Sequence, residues 1–253
     1  MVERSPAPRG TQPEGALDEL DASQRVREMF TRIAPRYDLL NHLLSAQMDR
    51  FWRARTAREL KPVLDRPDAL VLDLCCGTGD LALSLGRRAK ARVIGADFSH
   101  AMLVRARDKA VAANGGVQVS FFEADALRLP FADGSFDLVT SAFGFRNLAN
   151  YEDGLREIFR VLKRGGTLAI LEFTEPAPGV LGDLYRFYCQ KVLPKIGGLI
   201  SGDTEAYAYL PKSVARFFRP QEFSELMKEV GFGPVRYRLM NLGTVALHIT
   251  KRP

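Results

Sequence analysis

The pattern that most constrains the fold is an alternation of strand-like and helix-like segments through residues 69–173. Short runs rich in Val, Ile, Leu and Phe alternate with longer segments whose apolar residues recur every three or four positions. The predicted order is strand 69–74, helix 79–90, strand 91–97, helix 99–114, strand 117–125, strand 135–143, helix 151–163 and strand 167–173. Since strands joined by crossover helices pair in parallel, this order predicts an α/β fold with a doubly wound, mostly parallel sheet.

The end of the chain follows a different pattern. A predicted helix at 220–232 precedes two strand patterns at 235–240 and 244–250, with Asn-Leu-Gly between them. A link this short is typical of a hairpin, so the last strand is expected to be antiparallel in a seven-stranded sheet.

The rest of the chain is expected to frame this sheet. Residues 1–20 are rich in Pro, Gly and charge, which predicts a disordered tail. Residues 21–253 predict one domain with an N-terminal helical cap at 21–65, whose helix patterns begin near Asp21, Tyr37 and Met48. An insertion at about 175–218 is too long for an ordinary loop and combines Tyr, Leu and Ile with Lys and Arg, which predicts a helical lid.

Composition excludes several protein classes. With 253 residues, 46% hydrophobic and 26% charged, the chain is neither disordered nor fibrous, and no apolar run is long enough to cross a bilayer. The N-terminus lacks the apolar segment of a secretory signal, so a cytoplasmic location is expected. Three cysteines and three histidines show no metal-ligand spacing, so no metal site is expected. The formal charge of +6 is spread among acidic residues and is weak support for an anionic partner.

The stretch VLDLCCGTGD joins the first predicted strand to the following helix. Gly77, Gly79 and Ala82 satisfy the dinucleotide pattern G-x-G-x-x-A, so an NAD enzyme is one alternative. Asp73 at the strand end and Asp80 in the first helical turn would, however, repel a pyrophosphate. S-adenosylmethionine carries an ammonium, a sulfonium and no phosphate, and it is the cofactor that this loop predicts.

Acidic residues also end the next two predicted strands. Asp97 can accept hydrogen bonds from both ribose hydroxyls, and Phe98 can pack on the adenine. Asp125 can bind the adenine amino group, while the backbone N–H of Ala126 meets a ring nitrogen. The alternative is that Asp97 and Asp125 are ordinary turn residues after strands.

Three further segments carry a resemblance to a known family. The segments MFTRIAPRYDLLNHLLS, FGFRN and RVLKRGGTLAILEF, together with the glycine loop, resemble the ubiquinone/menaquinone biosynthesis C-methyltransferase family. These class I, Rossmann-like enzymes use S-adenosylmethionine to methylate a ring carbon of a polyprenylated quinol. The resemblance covers residues 25–250, and the family segment Y-D-x-x-N-x-x-x-S with a downstream Trp is met by Tyr37, Asp38, Asn41, Ser45 and Trp52.

The resemblance implies that Thr78 joins Asp97, Asp125 and Ala126 among the cofactor contacts. The chain departs from the family pattern at Asp49, Ala142, Arg164 and Thr174. Ala142 replaces a serine that contacts the cofactor in relatives, so no hydrogen bond to the cofactor is expected there.

Four residues are predicted to act in catalysis. A quinol carbon becomes nucleophilic when the neighbouring hydroxyl loses its proton, and a phenol titrates near ~10 in water. Arg146 is expected to stabilise the phenolate, Asn147 to orient the same oxygen, and His42 or a water to accept the proton, with Tyr37 as a further candidate. The alternatives are a structural salt bridge for Arg146 and helix packing for His42.

The lid and the N-terminal helices are predicted to wall an apolar tunnel for the polyprenyl chain and to contact the inner face of the cytoplasmic membrane. A satellite core is the alternative for the tyrosines of the lid, Tyr185, Tyr188, Tyr207 and Tyr209. A homodimer and other quinone-synthesis enzymes are further expected partners. Methylation of another small lipid or of RNA, and a non-catalytic cofactor-binding subunit, remain alternatives, although no long basic run favours nucleic acid.

Overall fold

Seven strands form one sheet in the computed structural model, which describes residues 10–45, 47–113, 117, 119–176, 179, 182, 187 and 204–253. The strands are β1 (Leu70–Leu74), β2 (Arg92–Asp97), β3 (Val119–Glu123), β4 (Phe136–Ala142), β5 (Leu162–Phe173), β6 (Arg236–Met240) and β7 (Val245–Lys251). Their order across the sheet is β3-β2-β1-β4-β5-β7-β6.

Strands β1 to β5 pair in parallel, and β7 is antiparallel to both β5 and β6. This arrangement confirms the predicted mostly parallel sheet and its antiparallel last strand. β1 lies between β2 and β4, so the winding of the chain reverses there. The carboxyl ends of strands at such a reversal are where ligands bind in doubly wound sheets.

The helices cover both faces of the sheet, and the first helix and the start of the second lie over the carboxyl ends of its strands. They are α1 (Glu19–Ile33), α2 (Tyr37–Leu44), α3 (Met48–Glu59), α4 (Lys61–Leu64), α5 (Asp80–Gly86), α6 (His100–Ala112), α7 (Tyr151–Val161), α8 (Thr204–Arg216) and α9 (Pro220–Val230). The helix predicted to reach residue 163 ends at Val161, because Leu162 already pairs with Phe136 of β4. Ser99 precedes α6, but its side chain makes no capping hydrogen bond.

Two apolar clusters hold the layers together. On one face, Leu60, Leu81, Leu85 and Leu103 pack with Val71 of β1. The other face buries side chains of α7 and α9 against β4 and β5, among them Leu155, Ile158, Phe223 and Met227. The sheet is therefore covered on both sides, as its nearly continuous apolar strands require.

The predicted disorder is wrong for residues 10–20. Thr11 is buried, its N–H donates to the carbonyl of Leu148 at 2.8 Å, and its hydroxyl lies 2.6 Å from that of Tyr209. A Cβ on Gly10 would stand 1.7 Å from the carbonyl oxygen of Ala149, so the backbone runs directly against that loop. Composition suggested a free tail, but backbone hydrogen bonds to the β4–α7 connection fix this segment. Residues 1–9 lie outside the described part.

The N-terminal helices and α8 meet above one end of the sheet. Met29 and Ile33 of α1 pack with Met102 at the start of α6 and with Tyr209 of α8. Most of the predicted lid, including Tyr185 and Tyr188, lies outside the described residues. None of the helices in the described part is both long and apolar enough to cross a membrane.

Candidate active site

The carboxyl ends of β1 to β4 surround a cavity that lies under α1 and the start of α2. The cavity contains about 890 Å³ of empty space, part of it open to solvent. Most of the predicted site residues lie on its wall: Tyr37, Asp73, Gly77, Thr78, Asp97, Phe98, Asp125, Ala126 and Asn147. Arg146, His42 and Gly79 do not. The structure therefore brings the predicted cofactor residues together at the reversal of the sheet.

Asp73 is the most deeply buried carboxylate on this wall. It is 1% exposed, and its Oδ1 accepts a hydrogen bond of 2.8 Å from the Thr140 hydroxyl. Its Oδ2 is buried without a hydrogen-bond partner. Burial raises the pKa of Asp73 to about 7, although the Thr140 hydroxyl and the backbone N–H of Ala82 partly oppose this effect. An unpaired buried carboxylate oxygen on a cavity wall is a site for a cationic group, because a cation would replace the lost water.

Asp97 organises the glycine loop from the end of β2. Its Oδ2 accepts the N–H of Gly77 at 2.8 Å, and its Oδ1 accepts the N–H of Ser99 at 2.9 Å. Burial raises the pKa of Asp97 to about 6, against the opposing effect of these N–H donors. Each carboxylate oxygen keeps further acceptor capacity, so two hydroxyl donors can still be bound.

The two glycines of the loop have different roles. Gly77 has φ +55°, and a Cβ there would meet no atom closer than Cε1 of Tyr37, at 3.9 Å, so its open side faces the cavity. Gly79 has φ +83°, and a Cβ there would stand 3.0 Å from Ala106 and from Phe121. The missing side chain of Gly79 therefore lets α5 pack against α6 and β3, and Gly79 is not on the cavity wall, so its cofactor contact remains a prediction.

The side chains of Thr78 and Asp80 make contacts within the protein that the sequence did not predict. The hydroxyl of Thr78 donates to Asp38 of α2 and lies 3.2 Å from Nζ of Lys109. Lys109 also binds Asp80, whose other oxygen lies 3.7 Å from Arg53. The charge of Asp80 is thus neutralised, and the acidity of the cavity rests on Asp73 and Asp97 at the strand ends. Thr78 contributes its backbone to the wall while its hydroxyl fastens α2 to the loop.

The remaining predicted cofactor residues form the rim. Phe98 is half-buried and Ala126 is buried, whereas Asp125 is exposed and accepts the N–H of Leu127 at 2.9 Å. All three lie on the cavity wall beside Asp97, the arrangement expected for an adenosine group.

Arg146 lies behind the wall in a buried ion pair. Its Nη1 donates to Oε1 of Glu172 at 2.8 Å, and its backbone N–H donates to Oε2 at 3.2 Å. The guanidinium also contacts the Ser213 hydroxyl at 3.4 Å and stands 5.3 Å from the ring centre of Phe173. The prediction of a free cation facing the substrate conflicts with this geometry, because Glu172 already neutralises the charge.

Asn147 and Tyr37 present polar atoms to the cavity. The Tyr209 hydroxyl donates to Oδ1 of Asn147 at 3.0 Å, and the NH₂ group of Asn147 has no hydrogen-bond partner among the described residues, so it can donate to a ligand. Burial raises the pKa of Tyr37, and the positive charge of Arg146 and a hydrogen bond with the Asn41 side chain partly oppose this effect. Both groups are therefore hydrogen-bond donors at neutral pH.

His42 lies outside this cavity, in a second cleft between α3, α5 and α6. Its Nδ1 is 2.8 Å from Oδ2 of Asp49, which also binds Arg53 and the Ser45 hydroxyl. One ligand atom each of His42, Asp49 and Asp80 lie within 4.8 Å of one another, but Arg53 and Lys109 already bind those carboxylates. The predicted role of His42 as proton acceptor is not supported by this position.

Sequence reasoning missed Glu172 and Tyr209 as contributors to the site. Glu172 stands in the apolar run TLAILEF, and a carboxylate inside a buried strand requires a partner, so a signal was present. Tyr209 was treated only as a lid tyrosine, and nothing local in the sequence indicates that its hydroxyl reaches both Asn147 and Thr11.

Comparison with known proteins agrees with this geometry. Residues 19–252 match the model of the ubiE/COQ5 methyltransferase family. The chain belongs to the ubiE/COQ5 methyltransferase family. A demethylmenaquinone methyltransferase of Thermus thermophilus is 53% identical over 226 residues, which cover 89% of this chain and 100% of that protein. The protein of the same name from Deinococcus radiodurans is 48% identical over 233 residues, which cover 92% of this chain and 94% of that protein.

The fold is also that of solved methyltransferases. A SAM-dependent methyltransferase of Thermotoga maritima superposes with a TM-score of 0.63 at 22% identity, covering 90% of this chain and 100% of that one. The predicted class I methyltransferase architecture is therefore confirmed, and this member of the ubiE/COQ5 family is a methyltransferase.

Proposed function

We propose that this enzyme uses S-adenosylmethionine to methylate a ring carbon of a polyprenylated naphthoquinol, the demethylmenaquinol step of respiratory quinone synthesis. The observation that carries the proposal is the cavity at the strand ends with the unpaired, buried Oδ2 of Asp73 on its wall. The two most similar relatives described above are named for this reaction and support the choice of a naphthoquinol over a benzoquinol.

The residues of the cavity fit this cofactor. The unpaired oxygen of Asp73 suits the ammonium, and the remaining acceptor capacity of Asp97 suits the ribose hydroxyls. Gly77 leaves room for close approach to the loop, and Phe98 with Asp125 suits the adenine at the rim. When bound, the cofactor supplies a methyl group already activated by its sulfonium. The protein must then hold the quinol carbon in line with that methyl group and favour the phenolate.

Two side chains can favour the phenolate form of the quinol. The free NH₂ group of Asn147 and the hydroxyl of Tyr37 are donors on the cavity wall, and a phenolate oxygen between them would be stabilised as its charge develops. With His42 in the other cleft, water is the proton acceptor that we propose. Arg146 acts as a positioning residue, since its ion pair with Glu172 holds the turn that carries Asn147.

The polyprenyl tail of the proposed substrate gives the enzyme a reason to bind at a membrane surface. A quinol with a polyprenyl tail resides in the lipid bilayer, so we propose peripheral contact of the enzyme with the inner face of the cytoplasmic membrane. Phe30 of α1 and Met102 of α6 line the cavity and supply apolar surface for the part of the tail nearest the ring.

The function is tested with purified enzyme, S-adenosylmethionine and reduced, short-tailed demethylmenaquinol, with the corresponding benzoquinol in parallel. Mass spectrometry should show one added methyl group on the naphthoquinol ring. Tyr37→Phe should lower turnover by ~100-fold, the scale of one lost donor to a developing oxyanion, while cofactor affinity measured by calorimetry stays unchanged. Absence of methylated quinol with either substrate, in enzyme that binds the cofactor, would refute the proposal.

A further inference from the structure

A second cleft, which adjoins the cofactor cavity at Arg53 and Asp80, carries an excess of positive charge. It lies between α3, α5 and α6, and the cationic side chains on its wall are Arg50, Arg53, Arg87, Arg88 and Lys109. Two carboxylates, Asp38 and Asp80, share the wall, which leaves a net charge of +3 with His42 neutral. A concave surface with such an excess concentrates negatively charged partners.

The cations of this cleft fall into an inner and an outer group. Lys109 and Arg53 form the inner group, because they bind Asp38, Asp80 and the buried Asp49. The inner charges therefore neutralise one another and leave the outer group uncompensated.

The outer group consists of three exposed arginines. Among the described residues, no ion pair or side-chain hydrogen bond joins Arg50 or Arg87 to a neighbour. Arg88 contacts only the carbonyl and hydroxyl of Ser84, at 3.3 and 3.4 Å. Other exposed arginines, such as Arg156, are neutralised by a carboxylate, so the lack, within the described part of the chain, of a carboxylate partner for three arginines of one cleft leaves a local excess of positive charge. The outer arginines are thus free to meet an external anion.

Apolar side chains stand beside this cleft on the helices that form it. Leu39 of α2 is 62% exposed, and Met48 and Phe51 of α3 are 36% and 48% exposed. Phe51 follows Arg50 directly, so the two side chains diverge by about 100° around α3. Exposed Leu, Met and Phe next to unpaired Arg form the amphipathic surface that binds the boundary between lipid headgroups and acyl chains.

We infer that the docking face, defined as Arg50, Arg87 and Arg88 with Leu39, Met48 and Phe51, binds an anionic lipid surface. The arginines meet the headgroup phosphates, and the apolar side chains enter the layer beneath them. A protein partner would have to match both the charge and the apolar residues, whereas an anionic bilayer presents both to any such face. The inference rests on the proposed function in one respect: the polyprenylated substrate is what brings the enzyme to a membrane.

The test measures sedimentation of the full-length enzyme with vesicles of phosphatidylglycerol and phosphatidylcholine at low salt. Arg50→Gln/Arg87→Gln/Arg88→Gln should lower the partition coefficient by ~100-fold, since each arginine near such a surface contributes roughly fivefold. Phe51→Ser should lower it by ~10-fold, and this loss should persist at high salt, because burial of a phenyl ring is not screened. Vesicles of phosphatidylcholine alone should bind the enzyme weakly.

The matched control removes the same charge from another surface. Arg164, Arg236 and Lys251 are exposed on β5, β6 and β7, at the other edge of the sheet from β2 and β3, and do not line the cleft, so their triple Gln variant should bind vesicles like the wild type. Equal loss in both triple variants would overturn the docking face, because general charge would then explain binding, and so would wild-type binding by the cleft variant. Circular dichroism checks folding of each variant.

A separate measurement distinguishes this inference from the proposed function. Each variant is assayed for cofactor binding by calorimetry and for methylation of a short-tailed quinol dissolved in detergent, and both should match the wild type. An enzyme that binds vesicles as predicted but methylates no quinol would refute the function and leave the docking face intact.

Discussion

Asp73 gives the sharpest test of the site, because its burial predicts opposite changes in stability and in cofactor affinity. Folding moves its pKa from an ordinary 3.8 to about 7. Each pKa unit corresponds to ~1.36 kcal/mol, so the ionised carboxylate destabilises the empty enzyme by ~4 kcal/mol. The unfolded chain loses this proton near pH 4 and the folded chain near pH 7. Stability from this group is therefore complete below pH 4 and falls as the pH rises to 7.

Asp73→Asn removes the charge and keeps an oxygen that accepts the Thr140 hydroxyl. Above pH 7 the empty variant should be ~2 kcal/mol more stable than the wild type, since burial of an unpaired NH₂ group offsets part of the gain. Below pH 4 that advantage should disappear. Cofactor affinity should fall by ~2 kcal/mol or more, because the charged acceptor for the ammonium is lost.

Urea unfolding from pH 5 to pH 8 and calorimetry at pH 8 measure both effects. Binding of the cofactor by the wild type at pH 6 should also release a proton, seen as a dependence of the binding enthalpy on the buffer. The matched control is Asp125→Asn on the exposed rim, which makes the same chemical change outside the buried wall and should alter the free energy of unfolding at pH 8 by less than ~0.5 kcal/mol. If the stability of Asp73→Asn has the same pH dependence as that of the wild type, burial does not destabilise the ionised carboxylate and the reasoning fails.

Three further predictions follow from particular contacts. Gly77→Val should weaken cofactor binding by more than tenfold in calorimetry, because φ is +55° and the side chain enters the cavity, whereas Gly165→Ala, also at positive φ but with no atom within 4 Å, should not. Arg146→Leu should cost ~3–5 kcal/mol in urea unfolding by leaving Glu172 unpaired, and Arg146→Leu/Glu172→Leu should recover most of it; an equally unstable double variant would contradict the ion pair. Burial lowers the pKa of His248 to about 4. The contribution of His248 to stability should therefore fall by ~3 kcal/mol as the pH drops from 6.5 to 4, opposite in sign to that of Asp73, so over this range His248→Gln should gain ~3 kcal/mol relative to the wild type in urea unfolding.

Much of the fold was accessible from the sequence, because a parallel sheet leaves strong local signals. Strands buried on both faces give continuous apolar runs, and the carboxylates that end them must meet at one edge, which placed Asp73, Asp97 and Asp125 correctly. Hairpin spacing was enough to give the antiparallel last strand.

The errors arose where contacts are long-range. Whether Arg146 is free or paired depends on Glu172, and whether Thr78 faces a ligand or Asp38 depends on how α2 docks. The order of residues 10–20 depends on the distant Leu148 and on α8. Spacing along the chain carries no information on such pairings, since tertiary packing decides them.

The hydroxyl bridge from Thr11 through Tyr209 to Asn147 has a consequence for synthesis of the chain. A ribosome produces Thr11 198 residues before the tyrosine that holds it in place. A nascent chain halted before Tyr209 would already contain every carboxylate of the cavity wall but would lack the hydroxyl bridge that joins Thr11 to Asn147. Translation thus completes the binding site late, so an arrested or truncated product should bind cofactor poorly even where the sheet has formed.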